Sequence, residues 1–261
     1  MAEPPNALKF NLLTHDPFGG YTISIGPNQV QLLHRIVTET GLWQTDAPTV
    51  CKFILYDTKH RRQATLSKKS FQSSMKRVFA HTFRNLFSPM PASSREELAA
   101  FTERLFESFD RPSLSSTKTG RINAAELACG FSVLCAGRKS DKLEHIFELL
   151  DEDRDSLVSR QDIVRFVRSF LVMLMSVSSS FTHLHGEACS NDAVTIEGAI
   201  CAGSEWATSQ VFAGLKQTKP KKNSATSICF DDFADWYTKG GYQNMPWLEL
   251  LDLRKWVLGE S

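Results

Sequence analysis

The sequence predicts an all-α protein made of four helix–loop–helix repeats in two lobes, followed by one more apolar helix. Three observations support this prediction. A spaced pair of apolar residues precedes each of four polar loops, an aliphatic residue recurs late in each loop, and helical apolar periodicity follows every loop. With 261 residues, the chain is long enough for two lobes that each have a core.

An arm and a first helix are expected before the repeats. Residues 1–27 are rich in Pro and Gly, which predicts an extended arm with one short strand, Tyr21 to Ile25. A helix is expected from Asn28 to Gly41 because apolar residues recur on one of its faces. These residues are Val30, Leu33, Ile36 and Val37.

Each repeat starts on a helix that ends at a polar loop. A Phe is followed three residues later by an apolar residue, so the two side chains share one helix face. The next residue is usually Asp. The four copies are Phe53–Asp57, Phe106–Asp110, Phe147–Asp151 and Phe212–Lys216.

The aliphatic residue late in each loop is expected to form a short β-bridge with a neighbouring loop. The predicted pairs are Leu66 with Ile122 and Val158 with Ile228. Pairing in this order divides the chain into an arm, an N-terminal lobe, a C-terminal lobe and a tail. The predicted bounds are 1–27, 28–137, 138–241 and 242–261.

The third loop, residues 151–162, has the side chains that a hard cation prefers. Counted from its first residue, side-chain oxygens fall at positions 1, 3, 5, 9 and 12, and position 7 offers a carbonyl. Ca²⁺ takes six to eight oxygens in such a loop. The predicted ligands are Asp151, Asp153, Asp155, the Leu157 carbonyl, Ser159 and Asp162.

Two residues of this loop depart from the usual pattern. Ser156 stands where Gly is expected, because the sharp turn needs a positive φ. Asp162 stands where Glu is expected, and its shorter side chain favours Mg²⁺ or lowers the affinity for Ca²⁺. A solvated acidic turn between two helices is the alternative interpretation.

The other three loops are predicted to be metal-free. The second loop, Asp110 to Glu126, has seventeen residues instead of twelve and is interrupted by Arg111-Pro112. Binding through Asp110, Asn123 and Glu126 stays open as an alternative. The first and fourth loops are rich in Lys and Arg, which repel a divalent cation.

The third repeat resembles an EF-hand. Its pattern is Phe-x-x-Leu-Asp-x-Asp-x-Asp-Ser-Leu-Val-Ser from Phe147, followed by Ile163 and Phe166. Over roughly residues 28–240 the chain resembles the neuronal calcium sensors and calcineurin B. Its degenerate loops are also similar to the EF-hand regions of dystrophin and of a ubiquitin-specific protease. The resemblance implies one Ca²⁺ site, with Mg²⁺ as the alternative, and interaction with a protein or peptide helix.

A hydrophobic groove is expected beside the third repeat, because flexible Met side chains follow two Phe on its exit helix. The residues are Phe166, Phe170, Met173 and Met175, for which ordinary core packing is the alternative. The tail from Pro246 to Leu258 is apolar on most sides and must be buried, in this groove or on a partner. Its expected anchors are Trp247, Leu250, Leu251 and Trp256.

Composition and motifs point away from several classes of function. The net charge of +1 indicates neither a nucleic acid nor a membrane as partner. The longest apolar stretch, Ile163 to Val177, is too short and too charged to span a bilayer, and residue 2 is not the Gly that myristoylation needs. No P-loop, nucleophile elbow or kinase motif is present, so no enzyme is expected.

The sequence therefore favours a cytoplasmic, metal-responsive adaptor that holds a partner helix in a groove. Two alternatives stay open. In the first, the chain is a structural interaction module that does not depend on metal. In the second, it is the regulatory part of a separate enzyme.

Overall fold

A computed structural model describes residues 8–11, 21–56, 64–83, 91–110, 118–178, 180–183, 193–218 and 226–258. The chain is mostly helical, as predicted. The α-helices are α1 (Pro27–Thr40), α2 (Ala47–Ile54), α3 (Lys68–Thr82), α4 (Ala92–Phe109), α5 (Ala124–Phe131), α6 (Lys139–Leu150), α7 (Arg160–Val177), α8 (Ala193–Thr218) and α9 (Phe230–Thr238). Residues 57–63 of the first loop, 111–117 of the second and 219–225 of the fourth lie outside the described residues.

Two short antiparallel ladders join the loops in pairs. β3 (Thr65–Ser67) pairs with β4 (Arg121–Asn123), and β5 (Val158–Ser159) pairs with β7 (Ser227–Ile228). Leu66 lies opposite Ile122 and Val158 opposite Ile228, so both predicted pairings are confirmed. All four side chains are buried, because each ladder lies between the helices that flank its two loops.

A third sheet was not predicted, and the expectation of helices plus loop bridges was incomplete. β1 (Leu8–Asn11), β2 (Tyr21–Ile25) and β6 (Ser180–His183) form an antiparallel sheet with β2 in the centre. Ile23 and Ile25 of β2 are fully buried. The sheet fastens the N-terminal arm to the segment that follows α7.

Helix α7 lies at the centre of the fold and packs against α4, α5 and α8. Its apolar side chains are buried on nearly every face, which explains why this helix has the longest apolar run of the chain. Gly130 of α5 permits the close approach to α7, since a Cβ there would lie 2.8 Å from the Ser169 carbonyl oxygen. One hydrophobic core includes residues from both predicted lobes. The lobe boundary at residues 137 and 138 stays a prediction.

The tail is not the single helix that the sequence predicts. A 3₁₀ segment, Pro246–Leu251, and a π-helical turn, Arg254–Leu258, are separated at Asp252. The carboxylate of Asp252 accepts hydrogen bonds from the backbone and guanidinium of Arg254, which stabilises the break. The tail is apolar on most sides, so one straight helix would expose some of its large residues. The break at Asp252 lets the two halves turn these residues inward.

Candidate metal centre

The third loop brings three of its predicted ligands together. Carboxylate oxygens of Asp151, Asp153 and Asp155 all lie within 4.8 Å of one another. Asp153 and Asp155 are exposed to solvent, whereas Asp151 is half-buried at the end of α6. Such a set of hard oxygens suits Ca²⁺ or Mg²⁺.

Backbone amides fix the shape of this loop. The carboxylate of Asp151 accepts the N–H of Ser156 at 2.9 Å and that of Asp155 at 3.2 Å. Arg154 and Ser156 have φ values of 60° and 64°, so Ser156 adopts the positive φ expected at its position. The N–H of Leu157 donates to Asp155 at 2.8 Å. The loop is therefore already turned so that alternate side chains face one centre.

Asp162 lies apart from the three clustered carboxylates. Its side chain is buried, with one oxygen 2.6 Å from the Ser159 hydroxyl and the other 3.4 Å from a guanidinium nitrogen of Arg165. The Ser159 oxygen in turn accepts the N–H of Asp162 at 3.2 Å, and this caps α7. Ser159 and Asp162 thus form a helix cap in addition to any role as ligands.

The three clustered carboxylates fit a divalent cation. Asp151, Asp153 and Asp155 would hold the ion, and Asp162 would have to turn away from Arg165 to join them. A bound ion would supply positive charge and cross-link the loop; it would offset the mutual repulsion of the carboxylates.

In the second loop, the oxygens of the alternative ligand set are already bonded within the chain. The buried carboxylate of Asp110 accepts the N–H groups of Thr119, Gly120 and Arg121 at 2.9, 3.0 and 3.3 Å. Asn123 caps α5 by accepting the N–H of Glu126 at 3.0 Å. These contacts explain how this loop can hold its shape without metal.

A buried ion cluster joins three helices, and the sequence reasoning missed it. Arg168 of α7 is 7% exposed and lies 2.7 Å from Glu126 of α5 and 2.8 Å from Glu197 of α8. Burial raises the pKa of Glu126, while the charge of Arg168 opposes this rise. The signal in the sequence was an Arg inside an otherwise apolar helical run, which requires a partner if the helix is buried.

The candidate groove residues lie in the core, and one of them contacts the chain's own tail. Phe166, Phe170 and Met173 are fully buried, and the ring of Phe170 lies 5.2 Å from that of Trp247. Leu251 is also fully buried. The tail therefore packs on its own protein, as one of the two expected arrangements has it, although mainly outside the predicted groove. Its first half lies against α6 and touches Phe170 of α7, and its second half lies against α1.

Two of the predicted groove residues are less enclosed. Met175 and Trp256 are half-buried, and the indole N–H of Trp256 donates to the Leu250 carbonyl at 2.8 Å. This bond holds the second half of the tail against the first.

Polar contacts fix the tail at three points. The ammonium of Lys142 is 1% exposed and donates to the Leu251 carbonyl at 2.6 Å. Glu249 pairs with Lys139 and accepts the Tyr237 hydroxyl at 3.0 Å. Burial lowers the pKa of Lys142 to about 8.

Comparison with known proteins links parts of this chain to several regulated proteins. A guanylyl cyclase inhibitory protein of Lithobates pipiens is 29% identical over 117 residues, which are 44% of this chain and 52% of that protein. A calcium and calcium/calmodulin-dependent serine/threonine-protein kinase, DMI-3 of Medicago truncatula, is 28% identical over 80 residues, 31% of this chain and 14% of the kinase. Ubiquitin carboxyl-terminal hydrolase 32 of Homo sapiens is 30% identical over 106 residues, 41% of this chain and 6% of the hydrolase.

These relatives are matched in part, since the chain spans about half the length of the inhibitory protein and far less of the two enzymes. No protein-family model matches the chain. Among the described helices, none has both the length and the apolar character needed to cross a membrane. The relatives are compatible with a calcium-related regulatory role.

Proposed function

We propose that this chain is a non-catalytic, cytoplasmic regulatory protein with four EF-hand repeats, of which the third binds one divalent ion, Ca²⁺ or Mg²⁺. The observation that supports this most directly is the convergence of Asp151, Asp153 and Asp155 within 4.8 Å on a preshaped loop. The name of the Medicago relative, a calcium-dependent kinase, supports the choice of ion.

Calorimetric titration of the full chain with Ca²⁺ and with Mg²⁺ tests this proposal. We expect one site with a Ca²⁺ dissociation constant of about 10⁻⁵ M or weaker. Asp153→Asn should remove most of the binding, whereas Asp141→Asn, which changes an exposed carboxylate in the first turn of α6, should not. Two sites of similar strength, or equal effects of the two variants, would contradict the assignment.

A partner helix is the proposed target of the hydrophobic groove. Because Trp247 lies against Phe170 in the free chain, the partner would have to displace this part of the tail. A partner segment would need an aromatic anchor for the face of Phe170 and an acidic residue for Lys139. Such a segment belongs to the helix-in-groove mode of recognition.

A metal-independent interaction module is the second candidate function. The buried cluster of Glu126, Arg168 and Glu197 favours it, because these contacts join α5, α7 and α8 without any ion. The two candidates differ in thermal unfolding with chelator and with Ca²⁺. An equal melting temperature in both conditions would favour the module, and a rise with Ca²⁺ would favour the ion-responsive regulator.

A further inference from the structure

The charges around Asp162 suggest how the third loop is controlled. Arg165 follows Asp162 by one turn of α7, and its guanidinium lies 3.4 Å from the carboxylate. Asp162 is the last predicted ligand of the loop, so a carboxylate that would bind the ion is next to a positive charge. The Arg165 side chain is 35% exposed, which leaves it room to move.

A second carboxylate is within the influence of the same guanidinium. Glu126 of α5 and Arg165 line one crevice, together with Asn123, Leu150 and Ser169. The charge of Arg165 lowers the pKa of Glu126, against the stronger opposite effect of burial. Arg165 is therefore placed between the last acidic residue of the third loop and the last acidic residue of the second.

A divalent ion and a guanidinium compete for Asp162. An ion at 2.3–2.6 Å from a carboxylate oxygen repels a positive group that contacts the same carboxylate. Arg165 must then leave. Two acidic residues line the same crevice, Glu126 and the exposed Glu152. Glu126 is the better acceptor, because it is less exposed and its pKa already responds to the charge of Arg165. The exchange keeps the guanidinium paired with a carboxylate in both states.

We propose that Arg165 is an internal counter-cation of the third loop, which holds Asp162 in the ion-free protein and moves to Glu126 when a divalent ion binds. This inference rests on the proposed function, because it needs the ion site. It makes Arg165 a residue that sets ion affinity without being a ligand. The movement of Arg165 also links ion binding to the buried cluster of Glu126, Arg168 and Glu197, because Glu126 already pairs with Arg168.

The test compares two Arg variants on the same helix. Arg165→Met removes the competitor, so Ca²⁺ affinity measured by calorimetry should rise roughly threefold, as expected for a partly exposed ion pair. Arg160→Met is the matched control, because that side chain is similarly exposed at 41% but contacts Ser209 and Glu205 of α8 instead of Asp162. We expect the Ca²⁺ affinity of Arg160→Met to stay close to that of the unaltered protein.

A double-mutant cycle tests the transfer to Glu126. Glu126→Gln keeps a hydrogen-bond acceptor for Arg168, and circular dichroism checks that the variant is folded. The substitution should weaken Ca²⁺ binding in the protein that has Arg165 and should have a smaller effect in Arg165→Met. Additive effects would overturn the transfer step.

The outcomes separate this inference from the proposed function. If the unaltered protein binds neither Ca²⁺ nor Mg²⁺, both are overturned. If it binds an ion and Arg165→Met and Arg160→Met raise the affinity equally, only summed charge matters, and the role of Arg165 is overturned alone.

Discussion

Replacing Trp247 with Ala removes the largest buried side chain of the tail. Trp247 is 2% exposed, and its ring lies 5.2 Å from that of Phe170 on α7. Substitutions of buried Trp or Phe by Ala cost about 3–5 kcal/mol, because the lost burial adds to the cost of the cavity. For a chain of this size, each kcal/mol corresponds to roughly 2–4 °C, so the melting temperature should fall by about 10 °C.

Thermal unfolding followed by circular dichroism measures this loss, and binding of a hydrophobic dye reports exposure of the groove. Trp256→Ala is the matched control, since Trp256 is half-buried and its indole N–H bonds within the tail. We expect less than half the loss and little dye binding for that variant. Equal losses in the two variants, or an unchanged melting temperature in Trp247→Ala, would refute the reasoning that Trp247 anchors the tail.

Three further predictions concern the loop and the tail. Asp162→Glu should raise the affinity for Ca²⁺ over Mg²⁺ in calorimetric titrations, because the longer carboxylate reaches the ion with both oxygens. Ser156→Gly should raise the free energy of unfolding, measured with urea, by about 0.5–1 kcal/mol, because Gly adopts the φ of 64° in the folded loop without steric cost. The free energy of unfolding, measured with urea, should rise between about pH 8 and pH 10 and lose this slope in Lys142→Met. Folding releases the Lys142 proton in that range, since burial lowers the folded pKa to about 8 from about 10.4 in the unfolded chain.

Each of these predictions has a result that contradicts it. Unchanged selectivity in Asp162→Glu would count against Asp162 as a ligand. A lower free energy of unfolding in Ser156→Gly would mean that the Ser side chain stabilises the loop more than its backbone strain costs. A pH slope that persists in Lys142→Met would assign the proton release to another group.

Local patterns predicted the parts of the fold that depend on local geometry. Leu66, Ile122, Val158 and Ile228 each stand at the same place in a loop, so repetition alone was enough to pair them. The positive φ of Ser156 followed from its place in a turn that closes on Asp151. These features need no knowledge of distant residues.

Features that depend on distant residues were not predicted. β2 and β6 are about 160 residues apart in sequence, and no periodicity indicates that two such strands will pair. Spacing also leaves open how a side chain is oriented by its near neighbours: Asp162 matches a ligand position, yet its carboxylate bonds Ser159 and pairs with Arg165. The break of the tail at Asp252 likewise depends on distant residues, because the first half of the tail packs against α6 and the second half against α1.

Helix α7 places the ion loop and the tail on one rigid element. Asp162 in its first turn and Phe170 beneath Trp247 are separated by eight residues, about 12 Å of helix. Two Arg side chains lie between them: Arg165, which pairs with Asp162, and Arg168, which pairs with Glu126 and Glu197. If ion binding shifts α7, it must change how well the tail packs, and by reciprocity loss of the tail anchor must change ion affinity by the same factor. Calorimetry on Trp247→Ala measures that factor: a changed Ca²⁺ affinity would mean that the ion site and the tail are coupled through α7, and an unchanged one would mean that the ion acts on the loop alone.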